Sequence, residues 1–385
     1  MTVRAEPLTL AKGAAYPTAQ TADAFLDAVR AASDTAFANA SLIDHDGAFP
    51  LDDIARLTRA GALMAPLPAD HGGLGIAGGP LLLETLRLVG HGSLPLGRLY
   101  EGHVNALGLI QHYGTQSQLA RAAGDASQGL LFGVWNTESP PGLLLERTAS
   151  GWRLLGAKTF ASGAGFIARP LVTAIAEGRQ FMVVPRLAQA DQSRADLSSW
   201  QAHGMRASAT GSFDFTNLIV EDDDIIGTVG DYHRQPGFSG GAWRFAAVQL
   251  GGIERLVDEL RAHLTRTARD SDPHQRARLG AAVVAAETAH LWVASASEIA
   301  AREGNAEQII AYVNLARTAV ERAGLDVLEL AQRSIGLAGF DRNHPIEHVF
   351  RDLATYLRQP APDKALSDAA AHVLAQTATT GALWR

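Results

Sequence analysis

The sequence predicts an α+β multidomain chain: an N-terminal α-helical domain over residues 1–127, a middle β-barrel domain over 128–230 and a C-terminal four-helix bundle over 231–385. Three observations predict it. A chain of 385 residues exceeds one ordinary core and suits two or three domains. Its apolar period changes twice, from helical to alternating and back. Alanine and leucine are abundant and aromatic residues make up only 6% of the chain, which favours helices over sheets.

In the first part Phe25, Val29 and Ala32 share one helix face, as do Leu81, Thr85, Leu88 and Val89. The stretch between them, Pro66 to Gly75, is dense in breakers and predicts an ordered loop. In the middle part, β-rich runs stand at Leu130–Trp135, Trp152–Leu155, Leu171–Ala176, Phe181–Val184 and Phe213–Val220. Glycine, proline and serine clusters separate them, which predicts a small antiparallel barrel or sandwich. In the last part Ile253, Leu256, Val257, Leu260 and Leu264 form a helical stripe, and Ala281–Ala301 and Gln308–Ile335 are long enough for bundle helices.

Composition narrows the function. A formal charge of -7 with no basic stripe argues against nucleic acid as a partner. The absence of cysteine removes disulfides, thiolate metal sites and a cysteine nucleophile. No unbroken run of about 18 apolar residues is present, so no membrane span is expected. Residues at the N-terminus show no apolar leader core, and the expectation is a cytoplasmic enzyme.

Three literal motif matches lack the context their chemistry needs. Gly73, Gly75 and Gly78 fit G-x-G-x-x-G, but a proline-bearing loop, not a strand, precedes them. Gly237, Ser239 and Gly241 fit a nucleophile elbow, yet the residues before them are polar and interrupted by Pro236, which reads as a linker entering the bundle. His344, Glu347 and His348 fit an H-x-x-E-H zinc pattern. Pro345 suits the first turn of a helix and leaves His344 near its cap, so a zinc hydrolase on His344 and His348 is an outsider.

Five further segments stand in register over almost the whole chain. They are Leu57 to Ile76 with its Pro-Ala-Asp-His-Gly-Gly-Leu-Gly loop, Phe132 to Glu138 ending in Thr-Glu, and Gly156-Ala-Lys-Thr-Phe-Ala-Ser162. Gly204-Met-Arg206 with Phe213 to Val220 follows, then Gly339-Phe340 with His344 to Asp352. Together they resemble the acyl-CoA dehydrogenase family, a flavoprotein superfamily that includes related flavin monooxygenases. The resemblance implies the helix–β–helix architecture, FAD as cofactor, and a homodimer or homotetramer acting on a small molecule, an acyl-CoA among the options. It also implies site residues. The Thr-Glu strand end, with Trp135 and Thr137, would contact the flavin pyrimidine, Phe160 would pack on the ring and Ser162 would bond near its N5. Arg333 and Gly336 would sit on the turn that serves a neighbouring chain's adenosine, where Arg333 replaces a glutamine and Leu337 replaces a glycine.

One departure bears on the reaction. The family's catalytic glutamate follows shortly after its Arg-Asp pair; here Pro360 stands in that place, and Ala242 stands where an alternative family base lies. Asp363 is the only nearby acid and Arg358 the nearest cation, so the catalytic residue is left unassigned between them. An acyl-CoA dehydrogenase-like oxidation at CH–CH with a substitute base is the leading expectation. The alternatives are a flavin monooxygenase of the same superfamily and a flavin-binding subunit without turnover.

Overall fold

A computed structural model describes residues 21–149, 151–302 and 304–384. The reading of the N-terminus as leaderless falls on residues 1–20 and lies outside them. Helix α1 (Ala22–Asn39) starts where the Thr21 hydroxyl accepts from the Ala24 N–H, and it buries Phe25, Val29, Ala32 and Ala36. After α2 (Leu51–Arg59), α3 (Gly79–Gly92) and α4 (Leu94–Tyr113) each carry proline in the first turn, where its missing N–H costs nothing. A capping box of Thr115 and Gln118 opens α5 (Gln116–Ser127).

The middle part holds β1 (Phe132–Trp135), β2 (Leu144–Thr148), β3 (Gly151–Leu155), β4 (Ala157–Ala161) and β5 (Arg169–Ala176), then β6 (Arg179–Val183), β7 (Ala195–Asp196), β8 (Gly211–Asp214), β9 (Leu218–Val220) and β10 (Ile225–Ile226). Seven strands pair in the order β10-β6-β5-β2-β3-β9 with β1 added on β5, and β4-β8-β7 make a second sheet. The expected small antiparallel barrel or sandwich is antiparallel at most of its pairings, but β1 and β2 run parallel to β5. Period-2 alternation reports which face a side chain takes and is blind to the direction of the partner strand.

The C-terminal part holds α6 (Gly237–Gly240), α7 (Trp243–Arg266), α8 (Pro273–Ala300), α9 (Ala306–Ile335), α10 (Glu347–Tyr356) and α11 (Pro362–Leu374). Three of these are long. The shorter α10 packs on α7 and α9, and α11 packs on α9, to complete the bundle. Helix α3 crosses α7 backbone to backbone. A Cβ on Gly90 would lie 2.2 Å from the Val248 carbonyl oxygen and one on Gly251 2.1 Å from that of Arg87, so neither position admits a side chain. This crossing sets the first turns of α7 beside α4, where the site is built.

Helix α10 is clamped to the β part. The Met205 N–H donates to Asp352 Oδ1 at 2.5 Å, and both residues are buried. Burial raises the Asp352 pKa to about 7 from the usual 3.8, against the opposing Met205 bond. The folded state therefore holds this proton more tightly than the unfolded chain, and Asp352 removes stability as pH rises from about 4 through 7. The slope is at most about 1.4 kcal/mol per pH unit. Asp352→Asn is expected to flatten the fall in melting temperature between pH 5 and pH 8, read by thermal unfolding of both proteins.

Candidate active site

Two cavities of about 490 and 470 Å³ share Glu101, Asn105, Val134, Tyr232, Phe238, Phe245 and Pro360 along one continuous cleft. The first lies against the β part and gathers Thr137, Phe160, Ser162, Trp200, Thr210, Tyr356, Arg358 and Gln359. The second lies against the bundle and adds Arg244, Arg317, Lys364 and Asp368.

Three of the residues singled out from sequence, Thr137, Phe160 and Ser162, thus line one wall. Phe160 adopts a left-handed φ of 52° where the β4–β8 register slips. The slip turns its ring out of the sheet, leaving it 63% exposed and edge-on to Trp200 at 6.3 Å. Ser162 Oγ accepts from Thr210 Oγ1 at 3.1 Å, which leaves the serine proton to be donated into the cleft. Beneath Thr137, the fully buried Lys158 donates to the Asn136 carbonyl at 3.2 Å, to Thr173 Oγ1 at 3.0 Å and to the Glu138 carboxylate. Burial lowers the Lys158 pKa, and Glu138 opposes that shift.

Trp135 does not face the cleft. It is the strand neighbour of Val134, so alternation sends its ring into the core against Phe213 and Phe215. Its indole N–H donates to the Ser162 carbonyl at 2.9 Å, which makes it a positioning residue. Arg333 and Gly336 lie at the far end of α9 and line neither cavity; Arg333 is largely exposed and pairs with Glu329 at 3.1 Å. Arg358 lines the cleft and is anchored to Glu321 at 2.9 Å. Asp363 is exposed and absent from the lining, because Lys364 and Asp368 occupy the face of α11 that looks into it. The linker after Asp231 is an ordered wall, and Tyr232 and Phe238 from it line both cavities.

The histidine motif is taken apart by the fold. Helix α10 begins only at Glu347, so His344 precedes it and shares no helix face with His348. Glu347 is engaged by Arg351 at 2.6 Å, and burial lowers the His348 pKa to about 4. Among the described residues no three His, Asp or Glu side chains converge on a metal site.

Glu101 on α4 is the residue that sequence reading missed. Its carboxylate is buried, accepts from Arg98 Nη1 at 2.6 Å and from the Asn105 amide, and Arg244 Nε donates to the same Asn105. It lies inside an apolar helix stretch, Leu99-Tyr-Glu-Gly-His-Val, where a lone acid between buried neighbours was the available signal.

Two further groups test whether a flavin fits. Tyr356 Oη and Thr355 Oγ1 line the cavity against the β part, and among the described residues neither buried oxygen has a hydrogen-bond partner. A buried hydroxyl left unpaired costs about 1–3 kcal/mol, so such a pair marks room for a polar ligand. With an aromatic wall and a row of hydroxyls beside it, the donor set suits a planar, polar-edged ring.

Comparison with known proteins agrees with this geometry. Residues 19–129 match the family described as acyl-CoA dehydrogenase, N-terminal domain, and residues 233–357 match acyl-CoA dehydrogenase, C-terminal domain. The chain belongs to this family of flavin-dependent oxidoreductases. Over 358 residues it is 25% identical to YdbM of Bacillus subtilis, which carries an acyl-CoA dehydrogenase name, covering 87% of this chain and 91% of the relative. Over 357 residues it is 26% identical to the dibenzothiophene monooxygenase of Rhodococcus erythropolis, covering 82% and 85%. In fold it resembles the crystal structure of TdsC from Paenibacillus sp. A11-2 with FMN and indole, with a TM-score of 0.81 at 19% identity, covering 94% and 99%.

Proposed function

We propose that this enzyme is a flavin-dependent monooxygenase acting on a small molecule. One observation carries the reading: among the described residues, both carboxylates that line the cleft are already paired with a cation. Pro360 lines the cleft at the position where the sequence resemblance would put the family's glutamate; Glu101 is bound by Arg98 and Asn105, and Asp368 is bound by Lys364 at 2.7 Å. A general base must reach its proton at about 3 Å, and a carboxylate paired with a cation is a weaker base than a free one. The kinship with a dibenzothiophene monooxygenase points the same way.

The residues divide the work. Phe160 and Trp200 would cover the ring and exclude water, Ser162 would donate to its edge, and Thr137 on its Lys158-braced segment would meet the other edge. Tyr356, whose phenol burial pushes well above its usual range, stays a neutral donor facing the same space. A flavin held there supplies two-electron redox chemistry toward oxygen. The flavin taken is FMN as readily as FAD. Arg333 is committed to Glu329, and Leu337 stands 87% exposed at the turn meant for a neighbour's adenosine, so that end adds little. The exposed apolar row of α8, with Val284 at 67% and Leu291 at 58%, reads as the face on which copies of the chain assemble. The same helix is long and apolar enough by composition to cross a membrane, yet it packs between α7 and α9.

The test uses flavin-loaded protein, photoreduced without oxygen and then mixed with it. Prompt oxygen consumption is expected, with calorimetry giving equal affinities for FMN and FAD. Reduced flavin that resists oxygen would overturn the reading.

A further inference from the structure

The chain carries a net charge of -7, yet among the described residues its cleft is lined by Arg98, Arg244, Arg317, Arg358 and Lys364 against Glu101 and Asp368. Most of these charges are already matched. Arg98 pairs with Glu101, Lys364 with Asp368 and Arg358 with Glu321. Arg244 and Arg317 are different: among the described residues neither has a carboxylate within ion-pair distance. Arg244 spends its Nε on Asn105, and Arg317 gives one N–H to the Pro360 carbonyl at 2.8 Å. Both are half-buried, and both line the part of the cleft against the bundle and not the Phe160–Ser162 wall. Burial lowers the pKa of each, with Glu101 the opposing charge for Arg244 and Glu321 for Arg317. A cation held out of water without its counter-ion is costly, and a ligand anion removes that cost.

The surroundings define the rest of the ligand. The Arg317 guanidinium lies 5.3 Å from the centre of the Phe245 ring, and Phe238 and Phe245 both face the cavity. Helix α7 opens at the same place with Ala242 as its cap residue, which supplies no side-chain hydrogen bond to the first N–H groups. The Arg244 backbone N–H is already given to the Gly241 carbonyl at 3.1 Å, so the anion site rests on the two guanidinia.

We infer that the substrate is a small apolar organic acid whose oxyanion, carboxylate or sulfinate, is held by Arg244 and Arg317 with its carbon body between Phe238 and Phe245. This rests on the monooxygenase reading only for what happens to the substrate, since the anion site is a binding claim.

The test therefore reads binding without turnover. Flavin-loaded protein is titrated with benzoate, indole-3-carboxylate and benzenesulfinate, and with benzamide and indole-3-carboxamide as neutral isosteres, following the visible flavin band and calorimetric heat. At least one acid is expected to bind about tenfold or more tightly than the neutral isosteres, with a dependence on salt. Arg317→Gln and Arg244→Gln should each erase that preference and leave flavin content unchanged, while Arg317→Lys should restore part of it. Equal binding of acids and amides, or a preference that survives both glutamine variants, would overturn the inference. Acid binding that persists while reduced flavin resists oxygen would instead leave this site standing and sink the monooxygenase reading.

Discussion

Lys158→Met is expected to be among the most damaging single changes to the β part, lowering both stability and flavin affinity. Its ammonium is fully buried and is the common donor to Asn136, Thr173 and Glu138, while Thr173 in turn donates to Asn136 Oδ1 at 2.7 Å. Removing one partner of a buried ion pair costs roughly 3–5 kcal/mol. The low end applies here, because the Glu138 side chain is 25% exposed and regains water. Thr137 sits between the two residues that lose their anchor, so the strand end proposed to meet the flavin loses its fixed position. Arginine is not a substitute: its planar fork cannot serve three acceptors arranged around a point charge. Denaturant unfolding with and without FMN, alongside flavin titration of the folded variant, checks both effects. An affinity for flavin that is unchanged in folded Lys158→Met would remove the positioning role and leave a structural one.

The order of the three parts was legible because each carries its own apolar period over many residues. The stripe Ile253, Leu256, Leu260, Leu264 is buried in α7, and Phe213 and Phe215 are buried in the β part. The wall formed by Thr137, Phe160 and Ser162 was legible because short motifs fix their spacing. A motif does not say which neighbour on a strand faces out: Trp135 turns into the core and Val134 takes the cleft. Glu101 was missed for a deeper reason. Its partners Arg98 and Asn105 are local, but what makes it a site residue is the approach of Arg244, Tyr232 and Tyr356 from distant segments. Arg244 and Arg317 were invisible for the same reason. A cation is only unmatched once the fold has decided which carboxylates come near it.

Anaerobic mixing of the flavin-loaded enzyme with butyryl-CoA is expected to bleach the flavin very slowly. General-base help is worth about 10²–10⁴-fold in typical cases, and a carbon acid beside a thioester depends on it heavily. Each nearby acid lies off the lining or is paired with a neighbouring donor. Asp363 is exposed and off the lining, Asp368 is held by Lys364, and Glu101 has one oxygen on Arg98 at 2.6 Å and the other on the Asn105 amide. Asp363→Asn and Glu101→Gln should therefore leave the slow bleaching where it was. Pro360→Glu returns a carboxylate to the cleft lining; Arg317 binds the main-chain carbonyl at this position, an interaction the substitution keeps. That variant is expected to bleach faster than the parent. Fast bleaching by the parent, abolished in Glu101→Gln, would mean that substrate binding frees Glu101 from Arg98. The enzyme would then be a dehydrogenase whose base has moved from the α10–α11 turn to α4.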